Sequence, residues 1–168
     1  MVIYDELITE DGTYKIEYHD ADNFDGLPPK QVTQAYGVCM VNGKLVIGHR
    51  RKKLTWGLIG GRVEPNETFS ETLKREIKEE SNMEVVAFAP IGYQIATDEN
   101  GIIIYQLRYA CKVRPYGVFV EDPDEGIDII KLIEPGTYKQ YFDWGKIGDR
   151  VISRGLKIYN SALADLSQ

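Results

Sequence analysis

Apolar and polar positions alternate near the start of the chain: Tyr14, Ile16 and Tyr18 fall on one face, Lys15 and Glu17 on the other. That two-residue period is the mark of a half-buried strand. Asp11-Gly12 just before it is a turn signal, so a hairpin is predicted, broken off by Asp25-Gly26 and Pro28-Pro29. Residues 35–41 and 45–47 are mainly β-formers around Asn42-Gly43. This pair suits a type I′ turn, which needs two residues tolerant of positive φ, so a second hairpin is expected. A glycine-rich bend over 57–61 leads into the most helical stretch. Two strands are then expected at 85–95 and 102–113, separated by turn-like residues 97–101, and an acidic loop at 121–125 precedes an apolar run at 127–133. In the tail, Ile147, Val151, Ile158 and Ala162 recur at helical spacing beside Ile152, Leu156, Tyr159, Leu163 and Leu166, which predicts an amphipathic helix despite Gly155. Strands mixed with two helices in this order fit an α+β layered fold with a mixed sheet better than a doubly wound one.

The first helix carries an unusual charge pattern. Thr68 and Glu71 form the sequence of a capping box, which starts the helix near Phe69. Advancing about 100° per residue, Leu73 and Ile77 lie on an apolar arc, while Glu76, Glu79 and Glu80 share an arc of about 100° that overlaps it. Carboxylates at i and i+4, such as Glu76 and Glu80, repel one another, more so when partly buried. A hard divalent cation, Mg²⁺ or Mn²⁺, would relieve this arrangement because such ions take oxygen ligands and keep waters that also contact phosphate. The competing reading is a solvated acidic helix balanced by Lys74, Arg75 and Lys78.

Composition narrows the function class. The chain has 168 residues, 43% of them hydrophobic and 27% charged, which fits one folded domain and excludes a disordered or fibrous chain. Lys plus Arg number 20 against 26 Asp plus Glu, a net charge of −6, so unaided attraction to nucleic acid or anionic lipid is not expected. Cys39 and Cys111 are far apart in the sequence, in apolar strand-like surroundings, which suggests buried free thiols and a reducing compartment. The acidic first ten residues do not resemble a signal peptide and no apolar run approaches the ~18 residues of a membrane span, so a cytoplasmic location is expected. His19 and His49 are isolated and receive no role.

With its flanks the helix reads Gly61-Arg-Val-Glu-Pro-Asn-Glu67, seven residues, then Arg75-Glu76-Ile77-Lys78-Glu79-Glu80-Ser81-Asn82-Met83. This resembles the Nudix box in six identities, Gly61, Glu67, Arg75, Glu76, Glu79 and Glu80. The upstream Val46-Ile47-Gly48-His49-Arg50-Arg51, Trp56 and Ile59-Gly60-Gly61 also look like that family. Two positions depart from the pattern: Asn82 stands for a glycine that would cap the helix in the left-handed conformation, which asparagine also tolerates, and Ile59 stands for a proline. The resemblance implies the family's α/β/α sandwich, with residues 1–33 as an N-terminal hairpin extension and 34–168 as the Nudix hydrolase domain. It also implies that Glu76, Glu79 and Glu80 bind divalent ions together with the Gly60 carbonyl, while Glu67 and Arg75 support them. A further acid from a late loop often completes such sites. Here the candidates are Glu121 and Glu125, with Asp122, Asp124 and Asp128 nearby, or the loop is simply solvated.

The reaction so implied is Mg²⁺-dependent hydrolysis of the pyrophosphate bond in a nucleoside diphosphate linked to another group: a nucleoside triphosphate, a nucleotide sugar or a dinucleotide. Arg50 and Arg51, with Lys52 and Lys53, are candidate phosphate contacts, and Trp56, Tyr36, Tyr93, Tyr105 and Phe119 are candidate base platforms. Markers of ADP-sugar, dinucleoside polyphosphate and coenzyme A hydrolases are absent from this sequence. Two alternatives stand beside the hydrolase. One is a non-catalytic Nudix-like nucleotide-sensing module; the other is a Nudix-fold isoprenoid diphosphate isomerase using Cys39 or Cys111. The N-terminal hairpin is also a candidate homodimer contact.

Overall fold

A computed structural model of the protein describes residues 1–166. Nine strands form one sheet: β1 (Val2–Thr9), β2 (Gly12–Asp20), β3 (Val32–Val41), β4 (Lys44–Arg50), β5 (Thr55–Gly57), β6 (Ile59–Arg62), β7 (Met83–Thr97), β8 (Ile103–Pro115) and β9 (Ile127–Ile133). Their order is β1-β2-β7-β8-β3-β4-β5, with β6 paired to β3 and β9 to β4. Among the described residues only β3 and β8 pair in parallel and the other pairings are antiparallel, so the sheet is mixed as expected.

Both predicted hairpins form. β1 and β2 pair from Val2↔His19 to Thr9↔Gly12, and β3 meets β4 at Val41↔Lys44 around Asn42 and Gly43, both at positive φ. The first hairpin belongs to the main sheet, because β2 pairs with β7. Bidentate bonds from Arg150 to Asp20 (3.0 and 2.5 Å) and a 2.6 Å bond from Arg154 to Asp22 hold the second helix to its end. The expected bend at 57–61 instead contains strand β6 and the end of β5. β6 closes a ladder with β3 (Gly37↔Ile59 through Gln34↔Arg62), so edge pairing turns a glycine run into sheet. β7 and β8 exceed their predicted bounds because bulges at Val85/Ala87 and Pro90/Gly92 let a long ribbon bend while staying paired.

Helix α1 (Phe69–Ser81) covers one face of the sheet and α2 (Gly145–Ile158) the other, giving an α/β/α sandwich. Under α1 lie Ala35, Cys39, Val46, Ile59, Leu107 and Cys111. Leu73 and Ile77 are fully buried there, worth roughly 2 to 3 kcal/mol each relative to exposure. Under α2 lie Val38, Met40, Leu45, Ile47, Leu58 and Ala110. The glycine inside this helix has a packing cause: a Cβ on Gly155 would stand 2.8 Å from the Val38 side chain. α2 ends at Ile158 and continues as a wider turn, Tyr159–Leu163, which leaves Leu166 exposed instead of on the apolar stripe. Among the described residues, no helix is long and apolar enough to cross a membrane.

Candidate active site

The site begins at the start of α1. The Thr68 hydroxyl accepts from the Glu71 N–H (3.2 Å), and the Glu71 carboxylate accepts from the Thr68 N–H (2.7 Å), completing the predicted capping box. At the other end Asn82 is left-handed (φ 54°, ψ 39°) and donates its N–H to Lys78 O at 2.8 Å. The substitution for glycine therefore keeps the cap geometry. Its side chain also donates to Val118 O at 3.1 Å, tying the acidic loop to the helix.

Arg75 is the hub. Its Nε and Nη2 grip Glu67 at 2.7 and 2.9 Å, Nη1 donates to Glu76 at 2.9 Å and Glu79 at 3.1 Å, and Nη2 reaches Arg62 O at 2.8 Å. A planar guanidinium alone offers this fan of donors. Glu67 also accepts from the Glu64 N–H (2.8 Å) and the Thr72 hydroxyl (3.0 Å). The Arg75 hydrogen bonds foremost, then these, hold its carboxyl down at about 2.

Glu80 lies at the opposite extreme. It is 6% exposed; Oε2 accepts from the Gly60 N–H at 2.9 Å and Oε1 lies 3.8 Å from Arg50 Nη1. Burial pushes its pKa up to about 8, with Glu76 and Asp122 adding to the rise while the Gly60 bond and Arg50 oppose it. Glu76 is also raised, by burial first, and Arg75 pulls against that. The glycine pair lets β6 pack closely, Gly60 against β3 and Gly61 against Glu76. A Cβ on Gly60 (φ 152°) would come within 2.2 Å of the Ala35 carbonyl oxygen, and one on Gly61 within 2.5 Å of the Glu76 carboxyl.

The remaining expected residues divide. Arg50 stays at the site, donating to Leu58 O at 3.0 Å and lying 5.7 Å from the Tyr36 ring centroid. Arg51 is exposed and its N–H donates to Gly126 O at 3.1 Å, just past the acidic loop. Trp56 is half-buried between His49 and Tyr141, with the Lys131 ammonium over its ring at 5.1 Å. Glu121 is exposed and, with Lys74, Arg75, Lys78 and Glu79, lines a cavity of about 690 Å³ beside α1. Glu125 is exposed at φ 56°. Asp122 is the loop acid that turns inward. It is 4% exposed, accepts from the N–H groups of Asp124, Gly126 and Ile127 at 2.9 to 3.1 Å, and its charge reaches Glu76 and Glu80. Cys39 and Cys111 are buried opposite one another in the β3/β8 register, beneath α1, where a catalytic thiol would not meet substrate.

The NUDIX domain profile matches residues 32–141, which contain every one of these acids. The chain belongs to the Nudix family. This Nudix fold also aligns with solved structures. The pyrophosphohydrolase BsRppH of Bacillus subtilis matches at TM-score 0.66 and 15% identity, covering 91% of this chain and 96% of that one. The MutT Nudix hydrolase of Burkholderia pseudomallei matches at 0.56 and 16%, covering 72% and 95%. A UDP-X diphosphatase matches at 0.54 and 15%, covering 77% and 63%. Identities this low speak to the fold alone. Comparison with curated proteins finds none that matches.

As for a metal in this Nudix site, no three His, Cys, Asp or Glu side chains converge as a ready cage among the described residues. Arg75 draws Glu76 and Glu79 to itself, and Glu80 is turned to the Gly60 N–H. The donor set nonetheless fits a hard divalent ion: it is all oxygen, on one helix face, and burial raises two of its carboxyls although Arg75 and Arg50 oppose the rise.

Proposed function

We propose that this Nudix protein is a divalent-metal-dependent pyrophosphohydrolase that cleaves a nucleoside diphosphate linked to another moiety. The observation that carries the reading is half-buried Glu76 and buried Glu80 on one helix, both with raised pKa, beside Glu67 and Glu79 bound by one arginine. A purely structural acidic helix would keep its carboxylates solvated.

Glu76, Glu79 and Glu80, with the Gly60 backbone, would hold Mg²⁺ or Mn²⁺, and Glu121 or Glu125 would complete the set. When bound, the ion supplies charge neutralisation of the pyrophosphate and a lowered pKa for water. The chain's own residues do the rest. Arg75 fixes the Glu76 and Glu79 rotamers from one side, so their positions do not have to be organised during the reaction. Glu80 is held at Oε2 by the Gly60 N–H, which fixes the direction of its carboxyl beside the glycine pair. Arg50, beside Glu80, is positioned to meet a phosphate oxygen.

Phosphate or nucleotide release is measured with nucleoside triphosphates, NADH, ADP-ribose, dinucleoside polyphosphates and nucleotide sugars, in Mg²⁺, Mn²⁺ and EDTA, for wild type and Glu79→Gln. Metal-dependent turnover that falls at least ~100-fold in the variant supports the hydrolase and names its substrate. Tight nucleotide binding without turnover on any substrate overturns it in favour of a sensing module.

A further inference from the structure

β8 carries a charge in the sheet interior. Arg108 is 6% exposed, and no carboxylate approaches it closely enough for an ion pair among the described residues, whereas Arg75, Arg150 and Arg154 each meet an acid. Its partners are neutral: Leu107 O at 3.2 Å, Gln106 Oε1 at 3.0 Å, Gln94 Oε1 at 3.5 Å and the Tyr36 ring, whose centroid lies 5.0 Å away. Burial pulls its pKa down, so the cation stands at a cost that no acid offsets.

The place of this cation matters. Tyr36 pairs with Gly60 on one side and with Arg108 on the other, so one row of the sheet runs from the Glu80 anchor to the buried arginine. Arg50 lies 5.7 Å from the same Tyr36 ring and 3.8 Å from Glu80. Gln94 and Gln106 are half-buried and paired across β7 and β8. Both glutamine carbonyls accept from Arg108 and the Gln94 amide donates to Gln106 Oε1 at 3.3 Å, so the Gln106 amide and the guanidinium make this a donor-rich group. Such a set receives acceptors and rejects a ligand edge rich in amino groups.

We propose that Arg108, with Gln94 and Gln106, is a specificity site that receives an acceptor-rich group of the substrate cleaved at the carboxylate helix. This rests on the hydrolase reading for the identity of the substrate, not for the donor character of the site. Two sources carry that chemistry: the oxygen and nitrogen edge of an oxo-purine, which arginine grips bidentately, or a further phosphate.

The test compares wild type, Arg108→Met, Arg108→Lys and Gln106→Met in turnover of GTP, GDP and ATP, in equilibrium binding of fluorescent GDP and ADP analogues, and in thermal melting without nucleotide. Loss of about 10- to 100-fold in kcat/KM through KM, with melting unchanged or raised, supports the site. A loss larger for GTP than for ATP assigns the base edge, and a loss larger for GTP than for GDP, equal between GTP and ATP, assigns a phosphate. KM and binding within about twofold of wild type in all three variants overturn the proposal, and a lowered melting point beside that result makes Arg108 structural. The binding arm decides even without turnover, so failure of the hydrolase reading and failure of this one remain separate. Lysine and Gln106→Met keep the test alive if Arg108→Met does not fold.

Discussion

Replacing Glu80 with glutamine tests the electrostatics on which the site depends. The Glu80 carboxyl is pushed up to about 8 by burial, assisted by Glu76 and Asp122, from an ordinary value of 4.5. Between about pH 4.5 and 8 the folded protein therefore keeps a proton that the unfolded chain has released, and stability falls as pH rises through that window. At 1.36 kcal/mol per pH unit, the ceiling on the loss is about 5 kcal/mol, and solvent relaxation around the carboxyl reduces this to a few. Glutamine keeps an acceptor for the Gly60 N–H and removes the titration. Urea denaturation in EDTA at about pH 5 and pH 8.5 measures the effect: wild type is expected to lose roughly 2 to 4 kcal/mol more than the variant across that interval, the residual slope of the variant coming from Glu76, also raised. Mg²⁺ added near pH 8.5 should restore wild type more than the variant, since ion binding to the folded state alone adds stability. Parallel stability curves for the two proteins would refute the claim that Glu80 is held ionised at a cost.

Arg75→Gln reverses the pH sense. Glu67, held at about 2 chiefly by Arg75, contributes stability that is present above its ordinary 4.5 and lost as pH falls toward 2, so the variant should be weaker by roughly 2 to 3 kcal/mol near pH 5 and nearly equal near pH 2, read by acid unfolding in circular dichroism. Gly61→Ala places a Cβ 2.5 Å from the Glu76 carboxyl and should leave the spectrum unchanged while lowering hydrolysis by about tenfold or more. Asn82→Ala should cost about 1 kcal/mol at the left-handed cap, whereas Asn82→Gly should stay within a few tenths; equal losses in the two would place the cost on the Val118 tether instead.

What was legible in the sequence follows from how local each cause is. The limits of α1 depend on contacts within four residues: the Thr68–Glu71 box starts it and Asn82 ends it, and both are readable from the chain. The Arg75 clamp is half local. Glu76 and Glu79 lie within one turn, but Glu67 closes on Arg75 only because β6 delivers the preceding loop beside the helix, and β6 exists through pairing with distant β3. The acidic loop offered several equivalent carboxylates, and the fold selects Asp122 because three N–H groups of its own turn point at it. Arg108 shows the remaining limit. Two-residue alternation already sets it on the face of Gln106 and Ala110, opposite Leu107 and Tyr109, yet its burial depends on Tyr36 of β3 and Gln94 of β7, which only the sheet order brings beside it. A charge that alternation allows to be exposed becomes a buried one without an acid partner only when the neighbouring strands close around it, so this residue type was visible in the sequence and its energetic cost was not.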